Sequence, residues 1–149
     1  MLKNMFKKNY FIFNVIFPIL LGGLIYTLYR SKNILLFDWY NYLGFSQNII
    51  QFRKIFNPND LVFSNFLTQN LPDGLWVYSF ASCMLLIWRD HQSTHKYLYI
   101  IIPIFLSITS EFLQLYNVLS GTYDIKDILS YVIFSILATI LFKKTYKKL

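Results

Sequence analysis

The sequence predicts an all-α membrane protein, a polytopic bundle of about four transmembrane helices with a further helix in the membrane interface. Three observations support this prediction: the composition, four long apolar stretches and the distribution of the positive charges. Hydrophobic residues make up 56% of the 149 residues and charged residues only 14%, against roughly 25% in ordinary soluble domains. A soluble fold of this size has too little interior to hide so much apolar surface, whereas a lipid bilayer removes the need to hide it.

Four stretches approach the roughly 20 apolar residues that cross a bilayer of about 30 Å. The first, 10–29, is too long for the core of a signal peptide and no cleavage site follows it, so we interpret it as a retained helix. The second, 71–88, has the shortest apolar part. The third and fourth are 97–116 and 125–142. Prolines inside the first and third are tolerated, because neighbouring helices satisfy the freed backbone groups.

The positive charges decide the orientation and support the second span. With four spans and both termini in the cytoplasm, nine Lys and Arg residues lie inside and five outside. If 71–88 did not cross, four would lie inside and ten outside, which the positive-inside rule disfavours. Because the basic residues cluster beside apolar runs, the net charge of +7 indicates this bias rather than nucleic-acid binding.

The predicted location is the bacterial cytoplasmic (inner) membrane, with the lipid bilayer as the surrounding partner. The richness in Lys, Asn, Ile, Phe and Tyr is typical of an AT-rich bacterial genome. The lysines from Lys143 onwards are interpreted as the cytoplasmic end of the last helix.

A long aromatic-rich connection, 33–52, precedes the second span. Asp38 and four amide side chains interrupt it, so we expect a helix that lies in the outer interface or is partly re-entrant. The alternative is a fifth crossing with the N-terminus outside, which would place eight Lys and Arg residues inside and six outside. The sequence Asn-Pro-Asn-Asp at 57–60 predicts a turn after this segment.

The acidic residues are unevenly placed, and in the four-span arrangement six of the seven fall on the outer side. Glu111 stands within an apolar stretch, where a carboxylate is costly and needs a partner in the bundle interior. Gln114 shares its helical face. Asp124 and Asp127 occupy the start of the last helix, and Asp73 the start of the second span. Three helix ends therefore present these five side chains to one region.

Each carboxylate has a structural and a functional interpretation. Glu111 either forms a clasp to Arg30 or to the start of the last helix, or binds a ligand or ion. Asp124 and Asp127 either cap their helix or contribute to that site. Asp73 either stabilises a Pro-Asp-Gly turn and caps its helix, or it contributes to the ligand site. Carboxylates suit Mg²⁺ or Ca²⁺, but nothing in the sequence fixes their distances, so neither a metal nor another cofactor is predicted.

The spacing of these residues resembles a known family. Glu-Phe-Leu-Gln at 111–114, then Gly-Thr-Tyr-Asp-Ile-Lys-Asp at 121–127 and an apolar helix, resemble the E-x-x-Q and D-x-x-D motifs of VanZ-like membrane proteins. Leu-Pro-Asp at 71–73 resembles the family's earlier motif at a helix start. The resemblance covers 71–142 and implies a small membrane protein of the bacterial envelope. The founding member of the family is associated with resistance to the glycopeptide teicoplanin.

Three functions are compatible with these residues. The favoured one is a non-enzymatic membrane factor that binds an envelope lipid, a glycopeptide or a partner membrane protein through the outer acidic cluster. The alternative is a membrane-embedded enzyme acting on a lipid-linked headgroup, with Glu111 or Asp127 as acid or base. A small transporter subunit is disfavoured, because four short helices contain no repeated half. The sequence has no known catalytic motif, and its single cysteine, Cys83, excludes an internal disulfide.

Overall fold

The computed structural model describes residues 8–30, 35–56, 66–90, 95–119 and 122–146, and every regular element in these ranges is helical. Six helices of eight residues or more follow one another along this part of the chain, with a short π-helix at Phe66–Asn70 directly before the fourth. They are α1 (Lys8–Tyr29), α2 (Leu35–Tyr42), α3 (Ser46–Phe56), α4 (Leu71–Ile87), α5 (His95–Leu115) and α6 (Ile125–Tyr146). The predicted all-α class is thus confirmed for the described residues.

Three of these helices are long and apolar enough to cross a bilayer. They are α1, α6 and the part of α5 from Leu98 to Leu115, with 22, 22 and 18 residues. Their apolar side chains are widely exposed, as in Phe13 at 67% and Leu20 at 65%. Such continuous exposure is unfavourable in water and suits contact with lipid, so these helices indicate a membrane protein.

The second predicted span, 71–88, corresponds to α4, the central helix of the bundle. Its 17 residues make it about 25 Å long. It packs against α1, α5 and α6, and Val77, Ala81 and Ser82 are almost completely buried. Small side chains on α4 let the helix backbones approach closely, which is a common way for helices to associate in lipid.

Contacts between α4 and α1 show that these two helices are antiparallel. The Ser79 hydroxyl donates a hydrogen bond to the Val15 carbonyl oxygen at 2.6 Å. Nearer the start of α4, Asp73 pairs with Arg30, which directly follows α1. The two helices therefore run in opposite directions, and the end of α1 lies beside the start of α4.

The remaining long helices complete the bundle. Asn70 bonds Asp127 near the starts of α4 and α6, and Ala81 packs with Ala138 further along both, so α6 runs parallel to α4. The chain returns between them as α5, in the opposite direction. The start of α4, the end of α5 and the start of α6 consequently lie at one end of the bundle.

The connection between α1 and α4 contains two short helices instead of the single helix expected over 33–52. With 8 and 11 residues, α2 and α3 are about 12 and 16 Å long. The chain turns between them at Gly44, whose φ of 76° lies in the left-handed region that favours glycine. Neither helix has the length of a membrane span, which gives the five-span alternative no support. The turn expected at 57–60 lies outside the described residues.

Candidate functional site

Polar side chains from four helix ends meet at one end of the bundle. The end of α1 lies beside the start of α4, which follows a π-helical turn at Phe66–Asn70, and the end of α5 lies beside the start of α6. We call the resulting group the polar cluster. It consists of Arg30, Asn70, Asp73, Glu111, Asp124, Asp127 and Tyr131.

Glu111 is the most buried carboxylate of the polar cluster, with 3% of its surface exposed. Its Oε2 accepts a hydrogen bond from the Asp124 backbone N–H at 3.3 Å, and its Oε1 accepts one from the Tyr131 hydroxyl at 3.2 Å. Glu111 therefore joins α5 to the start of α6, which is one of the two clasps considered from the sequence. Such partners offset the cost of placing a carboxylate in an apolar helix.

Asp124 and Asp127 act differently at the start of α6. Asp124 Oδ1 accepts a hydrogen bond from the Lys126 backbone N–H at 2.9 Å, which is an N-cap interaction. Asp127 is buried, and its Oδ1 accepts a 2.6 Å hydrogen bond from Asn70 Nδ2. Asp124 thus begins the helix, while Asp127 ties the helix to the start of α4.

Asn70 is a member of the polar cluster that sequence reasoning missed. Its side chain is buried and donates to Asp127 and, at 3.4 Å, to Asp124 Oδ2. An asparagine just before Leu-Pro-Asp at 71–73 is typical of a helix cap, yet Asn70 makes no side-chain cap hydrogen bond. Its partners are more than 50 residues away in sequence. The local pattern marks a helix start and gives no sign of this contact.

Asp73 lies at the edge of the polar cluster, where its Oδ2 forms an ion pair with Arg30 Nη2 at 2.8 Å. The two side chains are 27% and 28% exposed, so the pair is open on one side. The negative charges of Asp127 and Glu111 lie near enough to repel that of Asp73. It lies within the first turn of α4, not in the turn expected from the sequence. Among the described residues, none donates a hydrogen bond to its Oδ1.

Two hydrogen bonds to backbone oxygens and an aromatic ring hold Arg30 in place. Its Nη2 also donates to the Gln69 carbonyl oxygen at 3.2 Å, and its guanidinium lies 5.1 Å from the centre of the Tyr26 ring. From α3, Arg53 Nη2 donates to the Arg30 carbonyl oxygen at 2.8 Å. Burial lowers the pKa of the Arg53 guanidinium, but an arginine remains protonated in a protein. The connecting helix α3 therefore fixes the end of α1 on which the Asp73 ion pair depends.

Gln114, expected to share a site with Glu111, is not brought into the polar cluster. Its side chain is half-buried and forms no hydrogen bond with any residue that the structure describes. The three-residue spacing leaves the two side chains about 60° apart around the helix axis. Two residues can therefore lie on the same broad face of a helix and still have different partners.

A groove of about 460 Å³ adjoins the polar cluster on the side of α1. Its walls come from α1, α2 and the first turns of α4, and most of them are apolar. The lining residues are Ile19, Gly22, Gly23, Tyr26, Leu36, Pro72, Asp73 and Trp76. Since Asp73 is the member of the polar cluster in this lining, it is the carboxylate that a molecule in the groove would meet.

The carboxylates of the polar cluster are arranged as hydrogen-bond acceptors. Their donors are an arginine, an asparagine, a tyrosine and backbone N–H groups. Within the described ranges, no three acidic, histidine or cysteine side chains are grouped so as to hold a metal ion. The arrangement favours helix joining and the binding of a hydrogen-bond donor.

Comparison of the chain with protein-family models, curated proteins and solved structures finds no match.

Proposed function

We propose that the chain is a VanZ-like membrane protein of the bacterial envelope, with four transmembrane helices and both termini in the cytoplasm. It binds an amphiphilic envelope ligand, either a lipid or an acylated glycopeptide, at its outer face. The apolar part of the ligand lies in the groove between α1 and α4, and the polar part reaches Asp73. The observation on which this proposal rests is the continuity of the apolar groove with the polar cluster at Asp73.

The fourth span in this proposal is α4, and its packing supports that assignment. It begins beside Asp127 at the start of α6, and at its other end Trp88 lies in the same groove as Phe142 and Lys143. A helix that accompanies the 22-residue α6 over this distance occupies the same thickness of bilayer. The distribution of lysine and arginine favours the same arrangement.

The four-span arrangement predicts opposite accessibility for the two ends of α4. In a Cys83→Ala background, a cysteine at Gln69 should react with a membrane-impermeant maleimide applied to intact spheroplasts. A cysteine at Asp90 should react only after the membrane is permeabilised. Both positions are exposed, so access depends on the side of the membrane. Equal labelling from outside would contradict a crossing by α4, and the reverse pattern would contradict the orientation.

The Asp73–Arg30 pair supplies the polar end of the proposed site. Arg30 occupies Asp73 Oδ2, and a hydroxyl or amine of the ligand donates to Oδ1. The apolar part of the ligand gains little by moving from lipid into an apolar groove, because both surroundings are apolar. Selectivity therefore comes from the shape of the groove and from the hydrogen bond to Asp73.

Ligand binding is predicted to depend on the size of the side chain at position 23. Gly23 lines the groove, and a Cβ there would meet nothing within 4 Å. Gly23→Leu should fill the groove and lower the affinity about tenfold or more, a loss of about 1.4 kcal/mol. Gly23→Ala should change it little. The measurement is teicoplanin binding to protein in nanodiscs, with empty nanodiscs as the blank. Equal affinities for all three proteins would contradict this use of the groove.

Asp73→Asn tests the polar end of the site. It keeps the shape of the side chain but replaces a charge-assisted hydrogen bond with a neutral one, so the affinity for teicoplanin should fall about fivefold. Asp38→Asn is the matched control, because this exposed carboxylate on α2 lies outside the groove lining. In a deletion strain, wild type and Asp38→Asn should restore teicoplanin tolerance fully and Asp73→Asn only in part. An Asp38→Asn defect as large as that of Asp73→Asn would reject the assignment.

The geometry gives the catalytic alternative less support. Glu111 and Asp127, the candidate acid or base, are buried and already bonded to Tyr131, Asp124 and Asn70. Neither lines the groove. A general acid or base must come within hydrogen-bond reach of its substrate, so binding is the function we propose.

A further inference from the structure

We infer that the opposite end of the bundle contains a second site, which binds an anionic phospholipid. A groove of about 250 Å³ opens there between α4, α5 and α6. Ile100, Ile101 and Phe142 contribute to its apolar walls, and the cationic residues Arg89 and Lys143 belong to the same lining. None of the lining residues belongs to the polar cluster or to the groove beside it, so this inference is independent of the proposed function.

Aromatic contacts shape the α4 side of this groove. Trp88, which follows α4, lies in the lining and stacks on Tyr99 of α5, with the ring centres 4.6 Å apart and the planes at 13°. Tryptophan and tyrosine are enriched at the level of the lipid headgroups. The stacked pair therefore places the mouth of the groove where a phospholipid headgroup meets its acyl chains.

The two cations at the groove are in different states. Arg89 donates from Nε to Asp90 Oδ1 at 2.9 Å and from Nη2 to Asp90 Oδ2 at 3.3 Å, and its guanidinium lies 4.9 Å from the centre of the Tyr146 ring. Its charge is largely balanced by Asp90. Lys143 is exposed, and its ammonium forms no ion pair or hydrogen bond with any described residue. Lys143 is therefore the group that meets a phosphate oxygen.

Charge complementarity selects the class of lipid. A neutral phospholipid carries its own cation beside the phosphate, whereas an anionic one leaves a net negative charge for Lys143 to attract. A lysine near the membrane surface contributes enough attraction to an anionic lipid to change its affinity about fivefold. The apolar walls of α5 and α6 accommodate part of an acyl chain, so the groove holds the lipid in one place and not merely near the surface.

Native mass spectrometry of the purified full-length protein tests this site. In a neutral detergent, the protein is titrated with phosphatidylglycerol or phosphatidylcholine of identical acyl chains. Wild type should prefer phosphatidylglycerol. In Lys143→Gln the ratio of the affinities for phosphatidylglycerol and phosphatidylcholine should be about fivefold lower. Lys144→Gln is the matched control, because this neighbouring lysine is equally exposed but does not line the groove. It should keep the wild-type preference.

Two results would overturn the inference. Equal affinities of the wild type for the two lipids would mean that the groove does not select an anionic headgroup. Equal losses in Lys143→Gln and Lys144→Gln would mean that the basic end of α6 attracts anionic lipid without a defined site. Salt provides a second measurement, because about 1 M salt reduces the screening length to about 3 Å. Phosphatidylglycerol binding should weaken with salt in wild type and less so in Lys143→Gln.

Discussion

Asn70→Ala is expected to lower the free energy of unfolding by about 1–3 kcal/mol, because it leaves the buried Asp127 carboxyl group without its donor. Asn70 is 1% exposed and Asp127 8%, and Asn70 Nδ2 lies 2.6 Å from Asp127 Oδ1, so the bond that is lost is a buried one. The change also releases the start of α4 from α6. Unfolding by sodium dodecyl sulfate in mixed micelles, followed by circular dichroism, measures the loss.

The neighbouring amide supplies the control. Gln69 is exposed, and its side chain forms no hydrogen bond within the described part of the chain, so Gln69→Ala should stay within about 0.5 kcal/mol of wild type. Exchanging the partners, with Asn70→Asp and Asp127→Asn together, moves the donor to α6 and should regain much of the lost stability. If Gln69→Ala is equally damaging, or the exchange recovers nothing, the Asn70–Asp127 bond is not what joins these helices.

The helices were predictable because they depend on local composition. Apolar stretches at 10–29, 97–116 and 125–142 correspond to α1, α5 and α6, and 71–88 corresponds to α4. The expected single helix over 33–52 differs from the structure for an equally local reason. Gly44 adopts a left-handed conformation and divides the segment into two helices. The aromatic side chains on both sides of Gly44 make the whole segment look apolar, as one continuous helix would.

The site was predictable only in part, because its contacts are long-range. The cost of a carboxylate in an apolar helix correctly indicates that Glu111 needs a partner. Helical period alone does not say how far α5 is rotated towards α6, and it groups Gln114 with Glu111 when only Glu111 reaches Tyr131 and Asp124. The contacts of Asn70 could not be predicted from the residues around it, because its hydrogen-bond partners lie at the start of a helix more than 50 residues later.

The members of the polar cluster all join helices, and one of them, Asp73, is also open to a ligand. Glu111 and Asp127 are buried between helices, whereas Asp73 lies in the groove lining. If a Glu111 variant lost binding, the cause could be the lost contact between α5 and α6 or a lost contact with the ligand. Asp73 also pairs with Arg30, but this pair is partly exposed, so a change at Asp73 disturbs folding less than a change at a buried carboxylate. Asp73 variants, compared at equal stability, are therefore the better probe of the proposed function.

At Gly74 the backbone of α4 packs closely against the Phe134 side chain of α6. A Cβ at position 74 would lie 2.5 Å from Phe134 Cδ2, 2.8 Å from Cε2 and 3.1 Å from Cγ. Turning the ring about its Cβ–Cγ bond moves the first two atoms but leaves Cγ in place. A larger residue at position 74 therefore forces Phe134 into another rotamer or pushes the two helices apart.

Gly74→Val is consequently expected to lower the free energy of unfolding by about 1–3 kcal/mol through overpacking, measured by the same detergent unfolding. Gly23→Val is the matched control, because a Cβ at this position of α1 would meet nothing within 4 Å. Both variants make the same change within a helix, so the intrinsic helix propensity of valine cancels between them. Adding Phe134→Ala to Gly74→Val removes the ring and should recover part of the loss. A Gly74→Val protein as stable as Gly23→Val would mean that α4 and α6 do not pack this closely.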